Sequence, residues 1–518
     1  MSRPRDHGPL AGTVVRGVGL AGSGWVLGQV LNFASYVTLA HLATPQEFGQ
    51  LAAGTLIVGF GELFANSGML AAVIQRRDRI EEAANTALVA TLVAGVGLSL
   101  AALALSPVVG LYFDSEAAAE VAAATSVWIL LRSATTVPDA LMQRRFSFLR
   151  RVVVEPIGIV AFGVTSIVLV ANGLGLWGLV IGNTAQRLVM LVAAWALARW
   201  RPNLRLASFA LWREMIGFGR HVVGAAFVRM ISGQVNTALL GRFVGTAALG
   251  QYNYAARIAQ KPLGLMVNAG SYVLFPALSR IAANEERFRK AYLRSLRLTA
   301  AVAIPVGFVM LPLGEPFATL VFGDPWRDAG YAAMAMFAYV GGRSLASLAG
   351  EAFKAAGQPN LLLRMSLLSA TVSIASIVAL LPLGLVGVAA ATSVSSIGVA
   401  AYAMLLSARV VRLPLHRLLE QIWAPAAASI GMASALLALE QLALTAASRE
   451  TAIGLVLLAG EVALALGAYL GLLRLIAPAL TRELIGVGRE VRKRLRSGDR
   501  GAEPALEPDA TPPPTPVN

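Results

Sequence analysis

Residues Gly217 to Pro262 read GFGRHVVGAAFVRMISGQVNTALLGRFVGTAALGQYNYAARIAQKP. Two long apolar helices are predicted to meet at a turn between Gly241 and Gln251. Cations stand where hydrocarbon is expected, with Arg229 midway along the first helix and Arg257 and Lys261 in the second. An arginine at the centre of a bilayer-crossing helix costs about 2.5–3.5 kcal/mol on insertion scales. Such a residue needs something polar to meet it.

The rest of the chain has the same character. Of 518 residues, 57% are hydrophobic and only 14% charged, and the mean hydropathy is +0.67. This composition belongs to an integral membrane protein rather than a large soluble enzyme. The absence of cysteine excludes disulfides, thiolate catalysis and cysteine metal sites. The histidines, His7, His41, His221 and His416, are scattered and form no metal-binding pattern. After a polar opening, Met1 to Arg16, the first apolar run is too long for a signal-peptide core, so it is expected to remain as the first span.

At about 20 apolar residues per crossing, fourteen spans are expected, near 17–40, 50–72, 86–112, 118–142, 152–172, 174–198, 217–240, 252–275, 298–322, 329–353, 361–382, 385–408, 421–443 and 452–474. Proline and glycine place turns at Asn172-Gly173-Leu174-Gly175 and Leu381-Pro382-Leu383-Gly384. With the N-terminus in the cytoplasm, 34 of the 43 lysines and arginines fall on the inside. The outside loops hold Arg242, Arg327 and Arg449 among acids such as Asp114, Glu116, Asp324 and Asp328. That asymmetry follows the positive-inside rule loop by loop. It accounts for the net charge of +15 without a nucleic-acid partner.

The chain also repeats. His41–Gln50 aligns with Arg242–Gln251 at an offset of 201, and further on Phe113-Asp114 falls near Phe322-Gly323-Asp324 and Arg132-Ser133 on Arg343-Ser344. The expected division is a cytoplasmic N-terminus 1–16, an N-lobe 17–198, a cytoplasmic linker 199–216, a C-lobe 217–408 and two added spans within 421–474. Repeats of this kind in transporters place the substrate near the midplane between lobes. Beyond Leu475, the spacing of Leu480, Leu484, Val487, Val491 and Leu495 among arginines predicts a basic amphipathic helix over 475–500. It either lies on the anionic inner leaflet or is simply solvated. Residues 501–518 have the composition of a proline-rich disordered tail.

Arg132, Arg187, Arg229 and Arg343 fall near the middle of spans 4, 6, 7 and 10, and Arg257 and Lys261 in the outer third of span 8. Against these six cations stand Glu62, Glu351 and Glu461. Each cation has two readings. It is paired with an acid or a helix-end carbonyl or snorkels to an interface, or it lines a water-filled cavity. An excess of buried cations favours such a cavity, which would take an anion; phosphate or pyrophosphate suits the guanidinium fork. Glu62 is either a proton or sodium site tied to lobe movement or the partner of Arg229 or Arg132. No catalytic residue stands out. There is no phosphate-binding P-loop, and Gly17-Val-Gly-Leu-Ala-Gly22 opens a membrane helix rather than following a strand.

Several segments resemble the polysaccharide exporters of the multidrug/oligosaccharidyl-lipid/polysaccharide exporter superfamily, the Wzx-type flippases of the lipopolysaccharide, colanic-acid and teichuronic-acid subgroup. They are His41-Leu-Ala-Thr-Pro-Gln-Glu-Phe-Gly49, Ile74-Gln-Arg-Arg-Asp78, Val137-Pro-Asp-Ala-Leu-Met-Gln-Arg-Arg-Phe-Ser-Phe148, Gly175-Leu-Trp-Gly-Leu-Val180, Trp200-Arg-Pro202, Leu249-Gly-Gln-Tyr-Asn-Tyr-Ala255, Phe275-Pro-Ala-Leu-Ser-Arg280 and Phe322-Gly-Asp-Pro-Trp326. The resemblance covers roughly Val15 to Ala408. It implies a V-shaped, two-lobed, all-α transporter moving an undecaprenyl-pyrophosphate-linked oligosaccharide across the bacterial inner membrane, with both termini cytoplasmic. It implies no enzymatic cofactor, H+ or Na+ as the coupling ion, and polysaccharide polymerase or assembly proteins as partners. The competing readings are a multidrug cation exporter of the same superfamily, a membrane glycosyltransferase or polymerase, disfavoured by short outside loops, and a non-transporting scaffold.

Overall fold

The structure, a computed structural model, describes residues 27–76, 78–144, 153–358, 360–442 and 451–497. Within these it leaves undescribed the side chains of some stretches, including 218–226, Arg229 and 262–273. Every extended regular element among the described residues is a helix. The expected segments 1–16 and 501–518 and the start of the first span lie outside them.

Helix α1 covers residues 27–42. It is followed by α2 (Pro45–Gly54), α3 (Leu56–Gln75), α4 (Ile80–Ala104), α5 (Ser106–Phe113), α6 (Glu116–Thr125), α7 (Val127–Arg144), α8 (Glu155–Leu169) and α9 (Gly175–Ala198). The second series is α10 (Phe209–Phe243), α11 (Thr246–Ile281), α12 (Glu285–Phe308), α13 (Met310–Phe322), α14 (Arg327–Ala335), α15 (Tyr339–Ala355), α16 (Asn360–Leu380) and α17 (Gly384–Val410). Then come the single turn α18 (Leu415–Leu419), α19 (Trp423–Leu442), α20 (Thr451–Ile476) and α21 (Pro478–Ser497).

Six helical segments among the described residues are long and apolar enough to cross a membrane, or seven when the bent pair α12 and α13 counts as one span. Three of the six, Glu116–Arg144, Glu155–Ala198 and Asn360–Val410, contain two helices each. In the last two the turns fall where proline and glycine place them. Gly173 and Gly384 have φ of +87° and +68°, a region that L-residues with side chains avoid. The chain is thus a multi-pass membrane protein.

Sequence reading joined several elements that the structure separates. Span 2 begins with a short helix of its own, α2, where the spacing Thr44-Pro-Gln-Glu47 builds a capping box. The Glu47 amide donates to Thr44 Oγ1 at 3.3 Å, and the Thr44 amide donates back to Glu47 Oε2 at 2.7 Å. Span 3 divides at Leu105, ahead of Ser106-Pro107, because proline starts a helix better than it continues one. Its counterpart in the second series, α12 and α13, bends by 51°. The helices of the opening stretch are longer than a span. α10 has 35 residues and α11 has 36, meeting at Val244-Gly245. Ser208 moves the start of α10 forward to Phe209 by accepting a hydrogen bond from the Leu211 amide.

The repeat is visible in local geometry. α5 ends on Phe113 followed by Asp114 at φ +51°, and α13 ends on Phe322 followed by Gly323 at φ +96°. Both helices thus stop at a residue of positive φ, left-handed helical at Asp114 and extended at Gly323. The aligned glycines of the two copies, Gly49 and Gly250, touch each other where α2 packs on α11. A Cβ on Gly250 would run into the Pro45 carbonyl, and one on Gly49 into the Thr246 carbonyl. Glycine is required at both positions because backbone approaches backbone.

In packing, α2 to α9 mostly contact one another, as do α11 to α17; α2 against α11 and α10 against α3 and α16 join the two groups. α19 and α20 pack on α12 and α13. α21 folds back so that Leu480 is buried, while Glu483 is gripped by Arg294, at 2.6 Å, and by Arg297 of α12.

Two prolines inside helices show how tightly the joints are specified. Pro138 in α7 and Pro305 in α12 cannot donate to the carbonyls four residues back. The Trp195 indole donates to Ala134 O at 3.0 Å, and the Tyr469 hydroxyl of α20 to Ala301 O at 2.7 Å. Each orphaned acceptor is met from a neighbouring helix. Tyr469→Phe is expected to lower stability by about 1–3 kcal/mol, the cost of an unsatisfied buried acceptor. The same change made with Pro305→Ala should cost clearly less, since the restored amide supplies the bond. Thermal unfolding of the four variants in detergent checks this; equal costs in both backgrounds would contradict it.

Candidate functional site

The cations that the sequence places within spans separate into two kinds by what holds them. Arg187 of α9 pairs with Glu62 of α3 and lies over the Trp128 ring of α7, 4.4 Å from its centroid. Trp128 is itself oriented by donating to Thr184 Oγ1 at 2.9 Å. Arg132 meets Asp139, two turns along the same helix, at 2.9 Å. The sequence offers Arg229 or Arg132 as the partner of Glu62; among the described residues the carboxylate is met by Arg187, because α3 and α9 both flank α7, and Arg132 turns to Asp139. Sequence reading passes over Asp139, close to the inner end of span 4. That residue is only 2% exposed, so the tally of acids facing the cations was one short. Glu351 pairs with Lys354 at 2.5 Å.

Arg257 and Lys261 are held differently. They stand one turn apart on α11 and both reach α1. Lys261 Nζ donates to Gln29 Oε1 and, at 3.3 Å, to Asn32 Oδ1. The Arg257 guanidinium lies over the Tyr36 ring, 3.7 Å from its centroid, a cation–π contact. Gln29, Asn32 and Tyr36 are spaced i, i+3, i+7 and so share one face of α1. That polar stripe on an apolar helix was legible in the sequence and was missed. These partners are all neutral.

Arg343 of α15 is exposed and reaches Ser369 of α16 at 3.5 Å. The structure therefore gathers Arg257 with Lys261 and Arg187 with Glu62, and leaves Arg132 and Arg343 in separate places. The Arg229 side chain lies outside the described residues. Its helix runs beside the Glu62 segment of α3, where Phe227 meets Phe60 and Phe64 at 6.2 and 5.4 Å.

Just beyond Arg257, towards the arginine-poor end of the bundle, the seam between the two helix groups is closed by aromatic rings. Tyr254 stacks on Trp326 at 3.7 Å, and both contact Phe48, at 5.0 and 5.6 Å. Tyr254 and Trp326 are nearly or fully buried. The Tyr254 hydroxyl donates to Tyr36 O at 3.1 Å and Trp326 Nε1 to Ala40 O at 2.8 Å. The Gly49–Gly250 contact lies in the same seam. Among the described residues no group of histidines, aspartates and glutamates could hold a metal ion.

For the Glu62–Arg187 pair, replacing one member removes the opposite charge that the other meets in a partly buried setting. Glu62→Gln and Arg187→Gln are each expected to destabilise the protein. The double variant should recover part of the loss, with a coupling of roughly 0.5–3 kcal/mol. A double-mutant cycle by thermal unfolding measures it, and strictly additive losses would contradict the pairing.

This architecture is that of a known class of membrane transporter fold. The structure of lipid II flippase MurJ in an inward closed conformation superposes with a TM-score of 0.74 at 14% identity, covering 90% of this chain and 99% of that one. Residues 38–330 match the polysaccharide biosynthesis protein family, and the chain belongs to that family. Its relatives include the succinoglycan biosynthesis transport protein ExoT of Rhizobium meliloti, 25% identical over 58% of this chain and 60% of ExoT. The teichuronic acid biosynthesis protein TuaB of Bacillus subtilis is 24% identical over 58% of this chain and 62% of TuaB. The chain thus matches about 60% of the length of these relatives.

Proposed function

We propose that this protein is a flippase that carries an undecaprenyl-pyrophosphate-linked oligosaccharide from the cytoplasmic to the periplasmic leaflet of the bacterial inner membrane. The observation that carries the reading is the pair Arg257 and Lys261, two cations one turn apart at the seam between the helix groups with, among the described residues, neutral side chains against them. An oxyanion bound there replaces contacts with neutral partners by hydrogen bonds between opposite charges. Membership of a polysaccharide biosynthesis family, with relatives named for succinoglycan transport and teichuronic acid biosynthesis, supports a lipid-linked saccharide as the cargo.

In this reading the chain crosses the membrane fourteen times with both termini in the cytoplasm. Residues 17–198 and 217–408 form two lobes joined by the linker 199–216, and the spans within 421–474 accompany the second lobe. The sugar and pyrophosphate occupy the space between lobes while the polyprenyl tail stays in lipid, and the lobes rock to expose the site alternately. No bond is made or broken. H+ or Na+ supplies the driving force, and the polysaccharide polymerase receives the product. The Arg187–Glu62 and Arg132–Asp139 pairs serve as internal braces. A multidrug cation exporter is disfavoured because its substrate would meet the positive charge of Arg257 and Lys261.

A strain lacking the gene tests the reading. Lipid-linked oligosaccharide should accumulate as complete repeat units on the cytoplasmic leaflet, with loss of surface polymer. Normal polymer together with sensitivity to cationic drugs would replace this reading with the exporter one.

A further inference from the structure

The cation pair and the aromatic closure share one residue. The ring of Tyr36 lies under the Arg257 guanidinium, and its backbone carbonyl accepts the hydrogen bond from Tyr254. Tyr254 precedes Arg257 by a single turn of α11, and Ala40, whose carbonyl accepts from Trp326, follows Tyr36 by a single turn of α1. The 36–40 segment of α1 therefore carries both the resting contact of the cation and the bonds that close the seam. The glycine contact between α2 and α11 lies in that same seam.

The character of the resting contacts matters. Arg187 and Arg132 are held by carboxylates, which an incoming anion does not displace without stranding a charge. Arg257 and Lys261 rest, among the described residues, on an aromatic face and two amides. These yield to an oxyanion because a hydrogen bond from a cation to an anionic oxygen is stronger than its contact with a neutral partner. Arg343 also has a neutral partner, but Ser369 lies on α16 of its own helix group, so exchange there does not touch the seam.

We infer that Tyr36 is a positioning residue that couples capture of the diphosphate to opening of the outer seam. With the site empty, the guanidinium on its ring holds α1 against α11 and keeps the aromatic closure shut. When the diphosphate draws Arg257 and Lys261 onto its oxygens, α1 loses both of its cationic contacts, and the Tyr254 and Trp326 hydrogen bonds alone hold the closure. The substrate thereby unlatches the side through which it leaves. This inference rests on the proposed diphosphate site.

The chain contains no cysteine, so a single Ala40→Cys substitution reports on the seam. Ala40 is 3% exposed, and its thiol reacts with a polar maleimide only when the closure parts. In nanodiscs the full chain with Ala40→Cys should label slowly, and undecaprenyl diphosphate should raise the rate several-fold. Adding Tyr36→Leu should give the faster rate without the diphosphate and leave little further response. Tyr36→Phe, which keeps both the ring and the carbonyl, should behave as the parent. Arg257→Gln provides a second route to the unlatched state that leaves Tyr36 in place and should also label quickly without the diphosphate. Slow, parent-like labelling of both Tyr36→Leu and Arg257→Gln would overturn the latch. So would a parent that binds the diphosphate, seen as a rise in Tm lost in Arg257→Gln, without faster labelling. If the diphosphate produces no Tm rise at all, the binding-site reading itself fails, and the diphosphate-free labelling of the two variants still decides whether the latch exists.

Discussion

Arg257→Ala combined with Lys261→Ala is expected to reduce export of surface polysaccharide by roughly 10³-fold while the protein stays inserted in the membrane. The size follows from the contacts each cation would make with the diphosphate. A hydrogen bond to a charged group is worth about 1.5–3 kcal/mol, so each single substitution should cost about 10–100-fold. Their resting partners among the described residues, Gln29, Asn32 and Tyr36, are neutral, so removing the cations strands no opposite charge on them and the fold should tolerate it. Arg257→Lys and Lys261→Arg should retain more export than the alanines, with Arg257→Lys the weaker rescue because the fork and its stacking on Tyr36 are lost. Surface polymer in a deletion strain carrying each variant, normalised to protein in the membrane fraction, gives the comparison. Export unaffected by the double substitution would remove α11 from the substrate path.

Gly250→Val should also be damaging, for a mechanical reason. Any Cβ at Gly250 overlaps the Pro45 carbonyl, and Gly49 N lies only 3.0 Å from its position. Both neighbours are backbone, so neither can swing aside as a side chain would. Overpacking of this kind costs roughly 1–3 kcal/mol, and here the cost falls only on states in which α2 and α11 are in contact. The expected outcome is a protein that inserts but cannot close this seam, with at least about a 10-fold loss of export for a penalty of 1.4 kcal/mol or more. The Ala40→Cys thiol should then label quickly at all times. Gly49→Val should do the same through the Thr246 carbonyl. By contrast Gly217→Val, where an added Cβ meets nothing within 4 Å, should export normally. Wild-type export by Gly250→Val would show that the glycine contact is not part of the working cycle.

Much of this was legible before any coordinates, because a membrane writes strong rules into a sequence. The turns at Asn172-Gly173 and Leu381-Pro382-Leu383-Gly384 appear in place, since proline and glycine break helices in lipid as in water. The offset of 201 aligns Gly49 with Gly250, and the packing of α2 on α11 then brings that pair into contact. What periodicity could not supply was which helix faces which. Arg187 and Glu62 are 125 residues apart, and only the packing of α3 and α9 around α7 makes them partners. Asp139 was overlooked because an acid near the end of a span looks like a headgroup-facing residue until its burial is known. The Gln29, Asn32 and Tyr36 stripe was readable from its spacing alone, yet its meaning depended on α11 lying across it. The breaks between α4 and α5 and between α12 and α13 were joined into single spans because hydropathy is blind to a bend that leaves composition unchanged.

Reconstitution asks directly whether this chain moves a polyprenyl-diphosphate saccharide across a bilayer. The purified full chain would be placed in liposomes carrying a fluorescent undecaprenyl-diphosphate oligosaccharide, with an H+ or Na+ gradient imposed, and outer-leaflet fluorescence quenched at intervals by an impermeant reagent. The account predicts that the protected inner-leaflet pool becomes quenchable with the active chain and stays protected with the Arg257→Ala, Lys261→Ala double variant. A pool that stays protected at the protein-free rate with the active chain under both gradients, or one that the double variant mobilises equally well, would contradict it.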